Sequence, residues 1–416
     1  MNDAQQTQRP ADVSQAQAGG GMPLAGVRIL DMATVLAAPM GATLCADLGA
    51  EVVKLELPDG SDPMRGLAPV QDGQPLFWKV ANRGKKGIAL DVRKPQGREL
   101  FMKLVAGFDV LVENFRPGTL DRWGLGIDVL HAVNPRLVVL RLTGFGQDGP
   151  GSDRPGFARI FEAMSGLTRL SGEKGGSPLH MNYPIGDVIA ASFAAFSIAS
   201  AMVRMRSEPE AKGFEIDLAA TEALFRLLDA LPVEYERLGT ERGPAGNLAS
   251  YTAPSSMYCS RDGVHLSLVA SSNPIFRRLA QAIGMPQLTE DSRFATMVAR
   301  TEHYQELDAI LTAWFQSHDF EDIERRLEPQ GVPFARVQGI AQIMHDPHFL
   351  ARHAIVRLAD PELGSLPAPH AVPRIVGQTW SPPRTGPAVG EHNREILGAL
   401  GLTDEQMAQL RRDGVI

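Results

Sequence analysis

From Val27 to Leu142, short apolar runs alternate with stretches whose apolar positions recur at helical spacing, the signature of strands exchanged with helices. Val27 to Asp31 reads as a strand, Pro39 opens a small-residue helix to Leu48, and Glu51 to Glu56 alternates as a strand ending on an acid. Gly87 to Asp91, Asp109 to Glu113 and Leu137 to Leu142 read as further strands, separated by helical patterns over Pro95 to Val105 and Thr119 to Ala132. This alternation predicts an α/β fold: a Rossmann-like large domain with a mostly parallel sheet, whose ligands bind beyond the carboxyl ends of the strands.

After Leu142 the pattern changes. Thr143 to Gly156 is rich in Gly, Asp and Pro and reads as a loop, Phe157 to Met164 as a helix, and Gly172-Glu173-Lys174-Gly175-Gly176 as a second loop. Pro184 and Gly186 then break the chain, and no charge appears from Val188 to Val203, so a buried helix is expected with Asp187 as its N-cap. Asp217 to Leu231 reads as helical, and Ser256 to Cys259 with Val264 to Val269 as a hairpin about Arg261-Asp262-Gly263. Helical patterns fill Asn273 to Leu327, Pro361 to Pro387 is Pro-rich and expected to run extended, and a helix pair closes the chain within Glu391 to Arg412. The domain organisation expected is a tail over 1–22, a large α/β domain over 23–210, a smaller α+β domain over 225–335, and a linker and C-terminal return over 336–416.

Composition removes several functions. The 416 residues carry a net charge of −7 with acids and bases mixed, so no basic face for nucleic acid is advertised. Cys45 and Cys259 lie far apart without metal-ligand spacing, which predicts a reducing, cytoplasmic setting and no structural zinc. The uncharged run Val188 to Val203 falls short of the roughly 20 residues that span a bilayer. Its Ala and Ser content predicts close packing inside protein, not a membrane segment.

Candidate chemistry lies in a few stretches. Glu56 ends the second strand where a ribose-binding acid would sit, but Ala33 to Pro39 lacks the G-x-G-x-x-G glycines, so a dinucleotide site is not supported. Lys79 to Lys86 is the densest basic patch; Asn82, Arg83 and Lys85 there suit a phosphate, while a solvated turn would look the same. Glu113-Asn114-Phe115-Arg116-Pro117-Gly118 ends a strand at the ligand side of the sheet. His180 has no second histidine or acid to complete a metal set, and neither a Gly-x-Ser-x-Gly elbow nor an H-E-x-x-H helix is present. Asp187, at a helix mouth with amide N–H groups to hold it ionised and an apolar body behind it, suits a nucleophile, although this stretch alone favours a plain helix cap.

In combination, Leu48 to Glu56 (LGAEVVKLE), Asn82 to Lys86 (NRGKK), Val112 to Gly118 (VENFRPG) and Gly186-Asp187 resemble the class III, CaiB/BaiF-type coenzyme A transferases over nearly the whole chain. The resemblance implies a two-domain subunit, an interlocked homodimer, and Asp187 as the catalytic aspartate. It implies that coenzyme A lies over the first βα turn at Leu36 and Ala37, with Asn82, Arg83, Lys85, Asn114, Phe115 and Arg122 along its adenosine and phosphate end. The coenzyme A thioester is then a substrate and not a resident cofactor, and its partner is a small carboxylic acid. Asp187 would form a mixed anhydride and then an aspartyl-CoA thioester.

Departures from the family pattern bear on specificity. Asn247 to Pro254 has no glycine run where formyl-CoA transferases carry one, Ala191 stands where many relatives have glycine, and Leu57 replaces a basic side chain. The racemase branch of the same fold carries a histidine-aspartate pair where this chain has Phe157-Ala158, side chains that move no protons. A racemase and a non-catalytic acyl-CoA-binding relative remain the alternatives to a transferase. Arg159, Arg169 and His180 are candidates for recognising a second substrate carboxylate by nearness in sequence alone.

Overall fold

The computed structural model describes residues 21–416, so the expected tail over 1–22 falls almost wholly outside the described residues. Six strands form one sheet: β1 (Arg28–Asp31), β2 (Glu51–Glu56), β3 (Lys86–Ala89), β4 (Val110–Glu113), β5 (Val138–Thr143) and β6 (Glu215–Ala219). Every pairing is parallel and the order is β3-β2-β1-β4-β5-β6, with Ile29 opposite both Val52 and Val110. Helices cover a parallel sheet on both faces, which is why β4 and β5 are apolar or buried at every position. The crossovers that matter to the site are α1 (Ala37–Asp47), α2 (Leu76–Ala81), α3 (Pro95–Val105), α4 (Thr119–Arg122) and α5 (Ile127–Val133). The strand order reverses between β1 and β4, so their carboxyl ends open the crevice where open α/β sheets bind ligands.

Strand β6 corrects the helix expected from Asp217. Glu215-Ile216-Asp217-Leu218 alternates polar and apolar, and pairing Val139 with Glu215 along the exposed edge of β5 fixes it as extended, leaving helix only from Ala220. Thr119 to Ala132 is likewise two short helices, separated at Gly124, whose φ of 71° no continuous helix accommodates. Within the Pro-rich segment, Gly364–Pro369 is a strand that hairpins with Ile355–Asp360, so that region is not simply extended.

The chain forms two compact units. Among the described residues one comprises 21–154, 187–219 and 356–416; the other comprises 155–186 and 220–355. Residues 155–186, which the sequence pattern ran together with the large domain, belong to the second unit, and the C-terminal segment belongs to the first. Leu397, Met407, Val415 and Ile416 close the first unit's core beside Ile88, Leu100 and Leu111.

α6 (Ala158–Met164) lies in the second unit, and α7 (Ile185–Ser207) starts at the boundary between the two. α7 is 23 residues long and apolar enough, by length and composition, to cross a membrane. It packs instead on α1: a Cβ built at Gly41 would stand 2.7 Å from Ala194 Cβ and 3.1 Å from the Ala191 carbonyl oxygen. Only that face is covered. Ala190, Ala191, Ala194 and Ile198 are buried, but Phe196 and Val203 are about 70% exposed, so α7 is half-buried in one chain and not the fully buried helix expected.

In the second unit a three-stranded antiparallel sheet joins β7 (Ser255–Cys259), β8 (His265–Val269) and β9 (Phe334–Arg336), with Cys259 opposite His265 about the expected turn. Its inward side chains, Tyr258, Leu266 and Leu268, pack with Phe276, Leu311 and Phe315 from the following helices. Arg300 is fully buried and has no carboxylate partner among the described residues; its guanidinium donates to the carbonyls of Ala253 and Phe294 at 3.1 and 2.8 Å, to Ser271, and to Asn273 Oδ1. It anchors the end of the loop that lacks the glycine run.

Candidate active site

The first βα turn, between β1 and α1, is strapped from below by buried side chains. Asp31 Oδ1 accepts from the Ala33 amide at 3.1 Å, and Lys54 Nζ donates to the Ala33 carbonyl. Asn114, at the end of β4, accepts from the Thr34 amide at 2.8 Å and donates to its carbonyl at 2.7 Å, which ties the two sides of the crevice together. Asp62 Oδ1 accepts from the Val35 amide at 3.1 Å. Leu36 and Ala37 follow, both buried, with no side chain capping α1. Among the described residues no acceptor lies on the amides of Leu36, Ala37 or Ala38. These donors stand at a helix N-terminus, where the backbone favours an anion.

The basic patch is turned inward. Lys85 Nζ donates to Asp31 Oδ2 at 2.8 Å, to Asn82 Oδ1 at 2.8 Å and to the Pro39 carbonyl at 2.7 Å. Burial pushes its amine down to about 8, against the pull of Asp31. Arg83 makes a two-pronged pair with Asp47 and a bond to the Val80 carbonyl, and burial holds the Asp47 carboxyl above its ordinary range despite Arg83. Asn82, Arg83 and Lys85 thus commit their polar atoms to the protein, supporting α1 and the turn from behind.

Beyond the carboxyl ends of β1 to β4 lies a cleft of about 90 Å³. Its walls include Thr34, Leu57, Arg93, Phe115 and Trp123, the last two in edge-to-face contact with centroids 4.9 Å apart. Glu56 lines it too but is held bidentate by Arg65 at 2.7 Å, and Arg65 lies 3.7 Å over the Trp78 ring. Arg122 is exposed on α4 and donates to Thr119 Oγ1 at 2.7 Å. The structure therefore ties Asn114 to the turn that carries Leu36 and Ala37, sets Phe115 in the cleft wall, and places Asn82 and Lys85 behind the turn, with Arg83 on the Asp47 end of α1.

Asp187 is the third residue of α7, inside its first turn and not its N-cap. Pro184 presets the entry, and the orphan amide of Gly186 is satisfied by another element, Glu162 Oε1 of α6 at 3.0 Å. The other Glu162 oxygen meets His180 Nδ1 at 3.2 Å. Glu162 thus satisfies an amide in the first turn of α7 from another element. Arg169 meets Glu241 at 3.8 Å, whereas Arg159, exposed on α6, has no ion pair among the described residues.

A family model described as CoA-transferase family III matches residues 24–393. The chain belongs to CoA-transferase family III. It is 41% identical over 397 residues to a succinyl-CoA–D-citramalate CoA-transferase of Chloroflexus aurantiacus, covering 95% of this chain and 98% of that one. It is 32% identical to a succinate–glutarate CoA-transferase of Agrobacterium fabrum, over 91% of this chain and 96% of the other. A crystal structure of a CAIB/BAIF family protein from Brucella suis superposes with a TM-score of 0.80 at 30% identity, covering 92% of this chain and all of that one.

Three residues that contact or neighbour candidate residues carried no sequence signal on their own. Asp62 sits in a Gly-Ser-Asp-Pro turn that looks like any N-cap, and its bond to Val35 spans 27 residues. Glu162 is a single acid on a short helix, and only the fold sets it against Gly186. Arg93 reaches the cleft from the loop after β3, where the sequence showed only the missing cation at Leu57.

Proposed function

We propose that this chain moves coenzyme A from succinyl-CoA, or an acyl-CoA of that kind, to a small hydroxylated dicarboxylate, with Asp187 as the nucleophile. The observation that carries this reading is the 41% identity, end to end, with an enzyme named for that exchange. A relative named as a succinyl-CoA–L-malate CoA-transferase subunit, 36% identical, points to the same acceptor class. The coenzyme lies over the first βα turn, its phosphates toward the open amides of Leu36 to Ala38, and Arg93 supplies the cation lost at Leu57.

A carboxylate oxygen of Asp187 attacks the thioester carbonyl, the carbon–sulfur bond breaks, and coenzyme A leaves as thiolate from a mixed anhydride. The thiolate then attacks the Asp187 carbonyl, releasing succinate and leaving an aspartyl thioester. The acceptor carboxylate attacks that thioester to give a second anhydride, and the returning thiolate takes the new acyl group and restores Asp187. Each bond broken resembles one formed, so no ATP is needed. Arg159, the unpaired cation on α6, is the residue assigned to the acceptor's second carboxylate.

Two further parts of the reading concern setting and assembly. Cys45 and Cys259 are both free, in keeping with a cytoplasmic protein. The uncovered apolar side chains of α7 favour a homodimer, and a single-subunit mass by light scattering removes that part. The chemistry is tested by mixing protein with succinyl-CoA, reducing with borohydride and mapping peptides by mass spectrometry. A reduced adduct at Asp187, absent in Asp187→Ala, is expected; transfer persisting in a folded Asp187→Ala sinks the proposal.

A further inference from the structure

Val35 has a φ of 65°, in the left-handed region that β-branched residues avoid. It is followed directly by the open amides of Leu36, Ala37 and Ala38, so its backbone angle decides where they point. Asp62 is what meets it. One carboxylate oxygen accepts from the Val35 amide at 3.1 Å and from the Met64 amide at 3.0 Å. The second bond is the ordinary cap of the Pro63–Gly66 turn, and it would be made whether or not the first existed.

The other oxygen of Asp62 is buried without a hydrogen-bond partner among the described residues, 3.6 Å from Lys54 Nζ, and Asp62 forms part of the cleft wall. A buried carboxylate held with one oxygen unbonded is costly, and a serine or threonine cap would avoid that cost. The carboxylate is long enough to bridge two segments, and a serine is not.

We propose that Asp62 is a positioning residue: it latches Val35 in the left-handed conformation and so aims the Leu36–Ala38 amides at coenzyme A. The inference rests on the placement of coenzyme A over this turn given above. Glycine would adopt the same angle unaided, but with many others; a latched valine leaves one conformation and less entropy to lose on binding.

The test uses the full chain and measures coenzyme A binding by calorimetry, with thermal unfolding as the check on folding. Asp62→Ser keeps the cap on Met64 and loses the reach to Val35, and is expected to raise Kd about tenfold. Asp62→Asn retains an acceptor oxygen and stays near the parent. Adding Val35→Gly to Asp62→Ser restores most of the lost affinity, because glycine takes the angle without the latch. A folded double variant that binds as weakly as Asp62→Ser, or more weakly, overturns the latch while leaving the coenzyme site in place. Parent-like binding by a folded Asp62→Ser likewise overturns the latch, whereas the absence of coenzyme A binding by the parent chain overturns the coenzyme site itself.

Discussion

Replacing Glu113 by Gln tests whether the floor of the crevice carries a carboxylate that titrates near neutrality. Glu113 closes β4 and is 2% exposed; its Oε2 accepts from the Phe115 amide at 2.6 Å, and its Oε1 lies 3.6 Å from Arg141 Nε. Burial pushes its carboxyl up from 4.5 to about 7, with the Phe115 amide and Arg141 pulling the other way. The folded state therefore holds a proton that the unfolded chain has already released between those two values. Stability from this group is fully present below about 4.5 and is lost as pH rises through about 7. The interval corresponds to about 3 kcal/mol. Glutamine keeps the acceptor for the Phe115 amide and removes the charge, while Arg141 keeps Glu215 at 3.3 Å. Its new amide N–H group faces Arg141 Nε, so the absolute gain at pH 8 is smaller than the full interval. The assay is urea unfolding of parent and Glu113→Gln at half-unit steps from pH 5 to 8. The parent is expected to lose stability relative to the variant by up to about 3 kcal/mol across that range. A difference between the two that stays constant with pH refutes the reasoning.

Other perturbations follow from the same coordinates. Gly41→Val puts a branched side chain where even a Cβ would stand 2.7 Å from Ala194 Cβ, so α7 must shift; we expect about 1–3 kcal/mol of destabilisation by thermal unfolding, partly recovered by Ala194→Gly. Transfer activity should fall more than stability, because Asp187 rides on that helix. Arg93→Ala removes a half-exposed side chain whose pair with Asp91, at 2.7 Å, contributes little to folding. It should leave the unfolding midpoint unchanged, raise KM for the acyl-CoA several-fold, and weaken the salt dependence of that KM; an unaltered KM removes Arg93 from the coenzyme site.

Much of this protein was legible before any coordinates. Period-two and helical patterns located five of the six parallel strands, because strands buried on both faces must be apolar and their crossovers must be amphipathic. The NRGKK and VENFRPG runs, with Gly186-Asp187, marked the family, and the first two lie under or at the crevice. What the chain could not declare was partnership. Arg83 and Lys85 look alike in sequence whether they grip a phosphate or a buried aspartate, and only the fold brings Asp47 and Asp31 to them. Asp187 was read as the N-cap from local sequence, but α7 begins two residues earlier, and Glu162, 24 residues before Gly186, accepts from that amide once α6 is set against it. Local chemistry is written in runs of neighbouring residues, whereas burial and hydrogen-bond partners are set between segments far apart. For that reason the sequence determined most of the strands and helices and the family, and tertiary structure alone decided that Glu215–Ala219 is a strand and that Asp62 meets Val35.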